Sequence, residues 1–156
     1  GKVSSVARGG FVAVGDNANL WGSHLQPGEQ STILIGEKTT ATLFATLDAR
    51  NGGAIVVGAD NMWANGINLV TDDAHAIRDG ETGVRLNLFG GWIVIEPHVW
   101  LGRDVTVAGD SRIGMGSIIG MGSIVRNSVL PPNSICVGRP AKPVRSGIVW
   151  TREDAP

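Results

Sequence analysis

Residues 95–125 read IEPHVW, LGRDVT, VAGDSR, IGMGSI and IGMGSI, closing on Val125. Stepping by six from Ile95 meets Leu101, Val107, Ile113, Ile119 and Val125, and then Pro131, Val137 and Pro143. Four places after each stand Val99, Val105, Ser111, Ser117, Ser123, Val129, Ile135, Ala141 and Gly147, all small or aliphatic. Gly102, Gly114, Gly120 and Gly138 follow the aliphatic position directly. A period of six is neither the 3.6 of a helix stripe nor the alternation of a strand alone. It is the period of a short strand plus a turn: the aliphatic points inward, the small residue sits at the crowded turn, and glycine supplies backbone freedom at the bend. Three such sides close a triangular coil of eighteen residues. Coils stacked in parallel give an all-β solenoid, because a sandwich of irregular strands would not hold one phase this long.

The rhythm continues upstream with loops spliced in. Coil starts fall at Val14, Ile35, Val57, Ile95 and Ile113, separated by 21, 22, 38 and 18 residues. The excess over eighteen is 3, 4, 20 and 0. The large excess marks one protruding loop at about residues 71–90. Six coils at about 4.8 Å each predict a single prism-shaped domain roughly 29 Å long. The repeat as read predicts inward Ile135 and Val137 and an outward Cys136. Trp63, counted from Val57, falls at an inward position.

The chain has 156 residues, one domain's worth, with 13 Lys+Arg against 14 Asp+Glu and a net charge of −1. That balance argues against general nucleic-acid binding. Charged residues at 17% and hydrophobic ones at 42% exclude a disordered tail. No apolar run reaches the roughly 18 residues of a membrane helix, so no membrane insertion is expected. The single Cys136 cannot form an internal disulfide, which fits a cytoplasmic location. Glycine numbers 23, about twice the usual share of roughly 7%, as expected of a packed chain that turns often.

The stretch from about Val57 to Trp150 resembles the hexapeptide-repeat acyltransferases. The motifs that carry the resemblance are His98-Val99-Trp100-Leu101-Gly102, Ile119-Gly120-Met121-Gly122-Ser123-Ile124-Val125, Leu130-Pro131-Pro132-Asn133 and Gly138-Arg139-Pro140-Ala141-Lys142. The chain looks like the galactoside, maltose and capsular-polysaccharide O-acetyltransferases. The loop from Asp72 to Asn87, with its Asp-x-His-x-Ile opening and Arg-x-Asn close, looks most like the polysaccharide group. The resemblance implies a left-handed parallel β-helix and a homotrimer with sites at subunit interfaces. It also implies acetyl-CoA as co-substrate, bound along C-terminal coils at 95–148, and a sugar or polysaccharide acceptor.

His75 lies in the large insertion, where a solenoid presents function. The family's catalytic histidine sits at the matching place, which makes His75 the expected general base. Asp72 or Asp73 either orients the ring or is a solvated loop carboxylate, and Glu81 reads the same way. Trp100 falls at an outer position of its hexad. In the family this tryptophan lines the acceptor and pantetheine site, so it is expected in both catalysis and cofactor binding. The coenzyme strip is expected to use Arg103, Gly120, Met121, Arg126, Lys142 and Arg145. Arg103 and Arg126 depart from the usual family residues, and a solvated surface charge is the alternative reading of each. Lys142 and Arg145, three apart, suit the nucleotide phosphates.

A direct transfer in a ternary complex needs no enzyme nucleophile, in keeping with the lack of a Ser-His-Asp or Cys-His pattern. Two other enzyme readings are N-acetylation of an amino sugar and O-acetylation of serine or a small xenobiotic. A non-catalytic scaffold subunit is the reading from a different class. Some proteins on this fold are zinc carbonic anhydrases, whose three histidine ligands include a close pair. His24, His75 and His98 are 51 and 23 residues apart, so no metal is expected. His24 and His98 read as surface residues.

Overall fold

A computed structural model describes residues 2–6 and 9–154. After an N-terminal strand β1 (Lys2–Val6), three strands make each successive coil. The first coil is β2 (Gly10–Val14), β3 (Asn19–Leu20) and β4 (His24–Pro27). The second is β5 (Thr32–Ile35), β6 (Thr40–Ala41) and β7 (Thr46–Ala49), and the third β8 (Ala54–Val57), β9 (Met62–Trp63) and β10 (Asn68–Val70). After a long loop come β11 (Trp92–Ile95), β12 (Trp100–Leu101) and β13 (Thr106–Ala108), then β14 (Ser111–Ile113), β15 (Ile118–Ile119) and β16 (Ile124–Arg126). The sixth coil has β17 (Val129–Leu130) and β18 (Ser134–Gly138), and β19 (Ala141–Ser146) ends the series.

Like strands stack into three sheets, which form the sides of the prism. The first runs β1-β2-β5-β8-β11-β14-β17, the second β3-β6-β9-β12-β15-β18-β19, and the third β4-β7-β10-β13-β16. Coil-to-coil pairing is parallel throughout; among the described strands only β1 on β2 and β19 on β18 are antiparallel, and an isolated antiparallel bridge joins Arg78 and Arg85 in the long loop. Backbone N–H groups of one coil donate to carbonyls of the next, as from Gly36 to Val57 and from Gly58 to Ile95, both at 2.7 Å.

The register stacks like positions into columns. Ile33, Ile55 and Ile93 follow one another through the first sheet, and Leu47, Leu69, Val107 and Val125 through the third, all fully buried. In the second sheet Leu20, Ala41, Trp63, Leu101, Ile119 and Cys136 are in register. Trp63 is fully buried, and small Ala41 in the coil below gives its ring room. Its Nε1 has no hydrogen-bond partner among the described residues.

The edges between sheets require left-handed backbone. Asn17, Lys38, Asp60, His98, Gly116 and Asn133 turn the first edge, all with φ between 50° and 70°. Gly36 is needed for closeness instead: a Cβ there would lie 2.4 Å from the Ala59 backbone nitrogen of the next coil.

The structure corrects the repeat near its C-terminal end. Leu130, not Pro131, continues the column from Ile113, and Cys136, not Val137, continues it from Ile119, so the step drops from eighteen to seventeen. Cys136 is fully buried and Leu130 nearly so, whereas Pro131, Val137 and Val129 are exposed and Ile135 faces outward. Ser134 takes the small inner slot. The edge before β17 is one residue shorter, turning on Asn127 at φ 47°. Pro131 and Pro132 lack N–H groups and suit the outermost coil, where no further coil would accept one. Nor does the solenoid continue to residue 148. Pro143 is exposed and belongs to β19, which folds back on β18, so the expected coils at 95–148 end with β18.

The shifted register has a chemical test. Burial pushes the Cys136 thiol above its ordinary pKa. In native buffer the thiol is expected to resist Ellman's reagent for hours and to react within seconds in denaturant. Immediate native reaction would restore the outward reading.

Candidate active site

Three edges run the length of the prism, and one carries the insertions. Between the third sheet and the first, the in-register residues Leu25 and Ile33 are eight apart, as are Leu47 and Ile55. Leu69 and Ile93 are 24 apart, and Val107 and Ser111 only four. The extra residues of three successive coils therefore stack on one another, and the His75 loop, between β10 and β11, stands on the turn of the coil below.

Asp72 fastens the loop to that turn. One carboxylate oxygen accepts from the Ala74 N–H at 2.9 Å; the other accepts from Asn51 Nδ2 at 2.7 Å and the Gly90 N–H at 3.1 Å. Thr71 Oγ1 accepts from the Arg50 N–H at 2.9 Å. Burial pushes the Asp72 carboxyl up in pKa. The hydrogen bonds from Ala74, Asn51 and Gly90 and the nearby Arg50 charge outweigh that and hold it below its ordinary value.

Beyond this anchor the chain doubles back as a hairpin. The Leu86 N–H donates to the Ile77 carbonyl at 2.8 Å, and Asp79 caps the tip by accepting from the Thr82 N–H at 2.7 Å. Asn87 ties the two limbs together beside His75. Its Oδ1 accepts from the Ile77 N–H at 2.9 Å, and its Nδ2 donates to the His75 carbonyl at 2.8 Å and to Asp73 at 3.3 Å. Ala74, just before His75, is held at φ 64°. The hydrogen bonds at His75 are thus made by its backbone, and its imidazole is exposed. Asp72 anchors the loop, and Asp73 forms an ion pair with Arg126 at 3.2 Å. Glu81 is exposed in the hairpin tip. Ile77, Val84, Leu86 and Phe89 are also exposed on this loop.

The second group of expected residues meets on another face. Trp100, Arg103, Gly120 and Met121, with Ala64, Gly102, Ile118 and Ile119, line an open groove of about 400 Å³. It lies on the second sheet, beside the edge leading to the third. Trp100 points outward between Met62 and Ile118, while Leu101 points into the core. Gly102 lets adjacent coils approach closely there: a Cβ would lie 2.8 Å from the Met121 nitrogen. Lys142 and Arg145 are exposed on β19, paired with Val137 and Ile135, so they extend the same face beyond the groove by two strand spacings of about 4.8 Å each. Arg139, not singled out from sequence, donates from Nε to the Gly122 carbonyl at 2.6 Å, next to Met121. Arg126 stands apart from the groove lining, at the foot of the His75 loop.

His98 and Trp150 were not among the expected site residues, yet Trp150 abuts Trp100 and His98 stacks behind it. The His98 ring stacks on Trp150 at 4.0 Å between centroids and 8° between planes. Trp150 in turn lies 6.0 Å from Trp100. His98 Nδ1 meets Asp60 Oδ2 at 2.7 Å and Nε2 meets the Trp150 carbonyl at 3.0 Å. Among the described residues, no three His, Cys, Asp or Glu side chains gather as a metal site would require. No described helix is long and apolar enough to cross a membrane.

The fold is a left-handed parallel β-helix built of hexapeptide repeats. The family model described as "Bacterial transferase hexapeptide (six repeats)" matches residues 93–127, the stretch in which the six-residue period is uninterrupted. The polysialic acid O-acetyltransferase of Escherichia coli O1:K1 / APEC is 33% identical over 146 residues, 92% of this chain and 46% of that protein. The UDP-3-O-acylglucosamine N-acyltransferase of Methylorubrum extorquens (strain PA1) is 34% identical over 134 residues, 85% of this chain and 36% of that protein. The chain therefore spans less than half the length of these curated relatives. A hexapeptide-repeat acetyltransferase of Vibrio cholerae O1 biovar eltor, solved with acetyl coenzyme A, superposes with a TM-score of 0.67 at 23% identity, over 85% of this chain and 69% of that one.

Asp72 links loop order to pH. Its folded pKa is depressed, so its stabilisation is present above the ordinary aspartate value and is lost as pH falls through the folded one. Asp72→Asn is expected to cost about 1–3 kcal/mol and to flatten the acid limb of the stability profile. Urea unfolding across the acidic range, with amide exchange of residues 73–90, measures both. An unchanged acid limb would remove Asp72 as the anchor.

Proposed function

We propose that this chain is an acetyl-CoA-dependent acetyltransferase acting on a sugar hydroxyl, with His75 as general base. The observation that carries the reading is the groove that gathers Trp100, Arg103, Gly120 and Met121 on one face, with Lys142 and Arg145 further along it. Its chemistry fits the coenzyme. The apolar floor of Trp100, Ile118 and Met121 suits the pantetheine arm, and the carbonyls of Gly102 and Gly120, whose N–H groups already bond Ile119 and Cys136, can accept from the arm's amides. The basic residues match its phosphates. Similarity to polysialic acid O-acetyltransferases supports a polysaccharide or glycoconjugate acceptor.

In the proposed step the acceptor oxygen attacks the thioester carbonyl while His75 takes its proton. The tetrahedral intermediate collapses, the C–S bond breaks, and the departing sulfur of CoA takes the proton back from His75. A backbone N–H meets the oxyanion. His75 and the groove lie on different edges of one prism, so the step needs two subunits. A homotrimer that brings the loop of one protomer to the groove of the next would complete the site. The exposed Ile77, Val84, Leu86 and Phe89 are the apolar surface such a contact would cover. A second reading, N-acylation of an amino sugar, is favoured by similarity to the UDP-3-O-acylglucosamine N-acyltransferase.

Saturating CoA or acetyl-CoA at 100 times its Kd is expected to stabilise the protein by roughly 2.7 kcal/mol in thermal unfolding. No shift with either ligand would leave a non-catalytic scaffold as the better description. CoA release with matched hydroxyl and amino sugars then separates O- from N-transfer. His75→Ala is expected to lower kcat about 10²–10⁴-fold with little change in CoA affinity. Full activity in His75→Ala would reject His75 as the base.

A further inference from the structure

Residues 148–154 follow β19 and run back along the edge between the first and second sheets, against the direction of coil stacking. The Ile148 N–H donates to the Asn133 carbonyl in coil six at 3.0 Å. Trp150 Nε1 donates to the His98 carbonyl in coil four at 3.1 Å. Arg152 reaches coils three and two. Its Nε donates to Asp60 Oδ1 at 2.9 Å, Nη1 to Thr40 Oγ1 at 3.0 Å, and Nη2 to the carbonyls of Asn61 at 2.9 Å and Lys38 at 3.3 Å. Burial pushes the Asp60 carboxyl up in pKa, but the hydrogen bonds and charges of His98 and Arg152 outweigh it and hold it below its ordinary value.

This strap spans five coils, bonds to four of them and delivers one large ring. Trp150 is only 7% exposed although it lies outside the solenoid core. One neighbour is His98, stacked on it; the other is Trp100, at 6.0 Å and 51°. Trp100 belongs to a strand of two residues and stands on the outer surface, where its flanking strand neighbours are Met62 and Ile118. Trp150 adds a third neighbour, fixed by the bonds to coils two, three, four and six.

We propose that residues 148–154 act as a strap that sets the Trp100 wall of the groove, with Trp150 as the positioning residue and Asp60, His98 and Arg152 as its anchor. This rests on the reading that the groove receives the coenzyme. Groove affinity then depends on contacts made by residues that never touch the ligand.

Arg152→Ala removes the anchor and leaves both indoles and every groove residue in place. CoA affinity is measured by calorimetry well below the variant's unfolding temperature. The Trp100 environment is followed by ¹⁹F NMR of protein labelled with 5-fluorotryptophan, its resonance assigned with Trp100→Phe. Arg152→Ala and Trp150→Ala are each expected to raise the CoA Kd about threefold to tenfold and to move the Trp100 resonance. Trp150→Phe keeps a ring on His98 and is expected to recover most of both. A lower melting temperature with unchanged Kd and an unmoved Trp100 resonance would reduce the strap to a structural element and overturn the proposal. A moved resonance with unchanged Kd would overturn it too. Wild-type protein that binds no CoA would sink the coenzyme reading and this inference with it. That failure is distinguishable because it appears before any substitution is made.

Discussion

Each coil of this protein satisfies most of its backbone hydrogen bonds outside itself, in the coil above or below. A two-residue strand such as β12 has no stability of its own; it exists because Trp100 and Leu101 are held between β9 and β15. Parallel stacking in register is therefore the constraint on which the rest depends. It forces identical positions into columns, so that the core is a set of side-chain stacks rather than an irregular cluster. It also explains the edges, where a chain that must turn three times per coil at a 4.8 Å spacing enters the left-handed region repeatedly. Glycine, asparagine and aspartate supply most of those turns.

The same constraint decides where function is placed. A residue added inside a side would break two ladders at once, so extra length gathers at an edge. Here three successive insertions share one edge, and the longest is held by the turn beneath it through Asp72, Asn51, Thr71 and Arg50. The loop is long and solvent-facing yet has a defined base, with Asn87 bridging its limbs at His75. On the second sheet the columns do different work: their outward members make a continuous face from Trp100 to Arg145. Loop and groove lie on separate edges of the triangle, which is why a single chain presents the parts of the proposed site without joining them.

Much of this was legible in the residues. The period of six between Ile95 and Val125 carried the architecture, the inward columns and the inward Trp63. The excess of twenty residues located the loop, and the resemblance singled out Trp100, Arg103, Gly120 and Met121, which do line one groove. The period failed where it was followed too far. Pro131 and Val137 hold the right place in the count, but Leu130 and Cys136 occupy the core, because the edge at Asn127 is one residue shorter and the last coil tolerates prolines at its open side. The pairing of Asp60 with His98 had a usable signal: each lies three residues after its coil start, at Val57 and Ile95, and so on adjacent rungs. Nothing comparable marked Trp150 or Arg152, which lie beyond the repeat.

The sequence by itself determined the solenoid, its rungs and the position of its insertion, because those follow from a local repeat that each coil imposes on the next. Tertiary structure alone decided the final register, the anchoring of the His75 loop by Asp72, the separation of Arg126 from the groove, and the return of residues 148–154 to Asp60 and His98. These depend on contacts between residues dozens of positions apart, whose energies come from burial and hydrogen-bond geometry that no periodicity encodes.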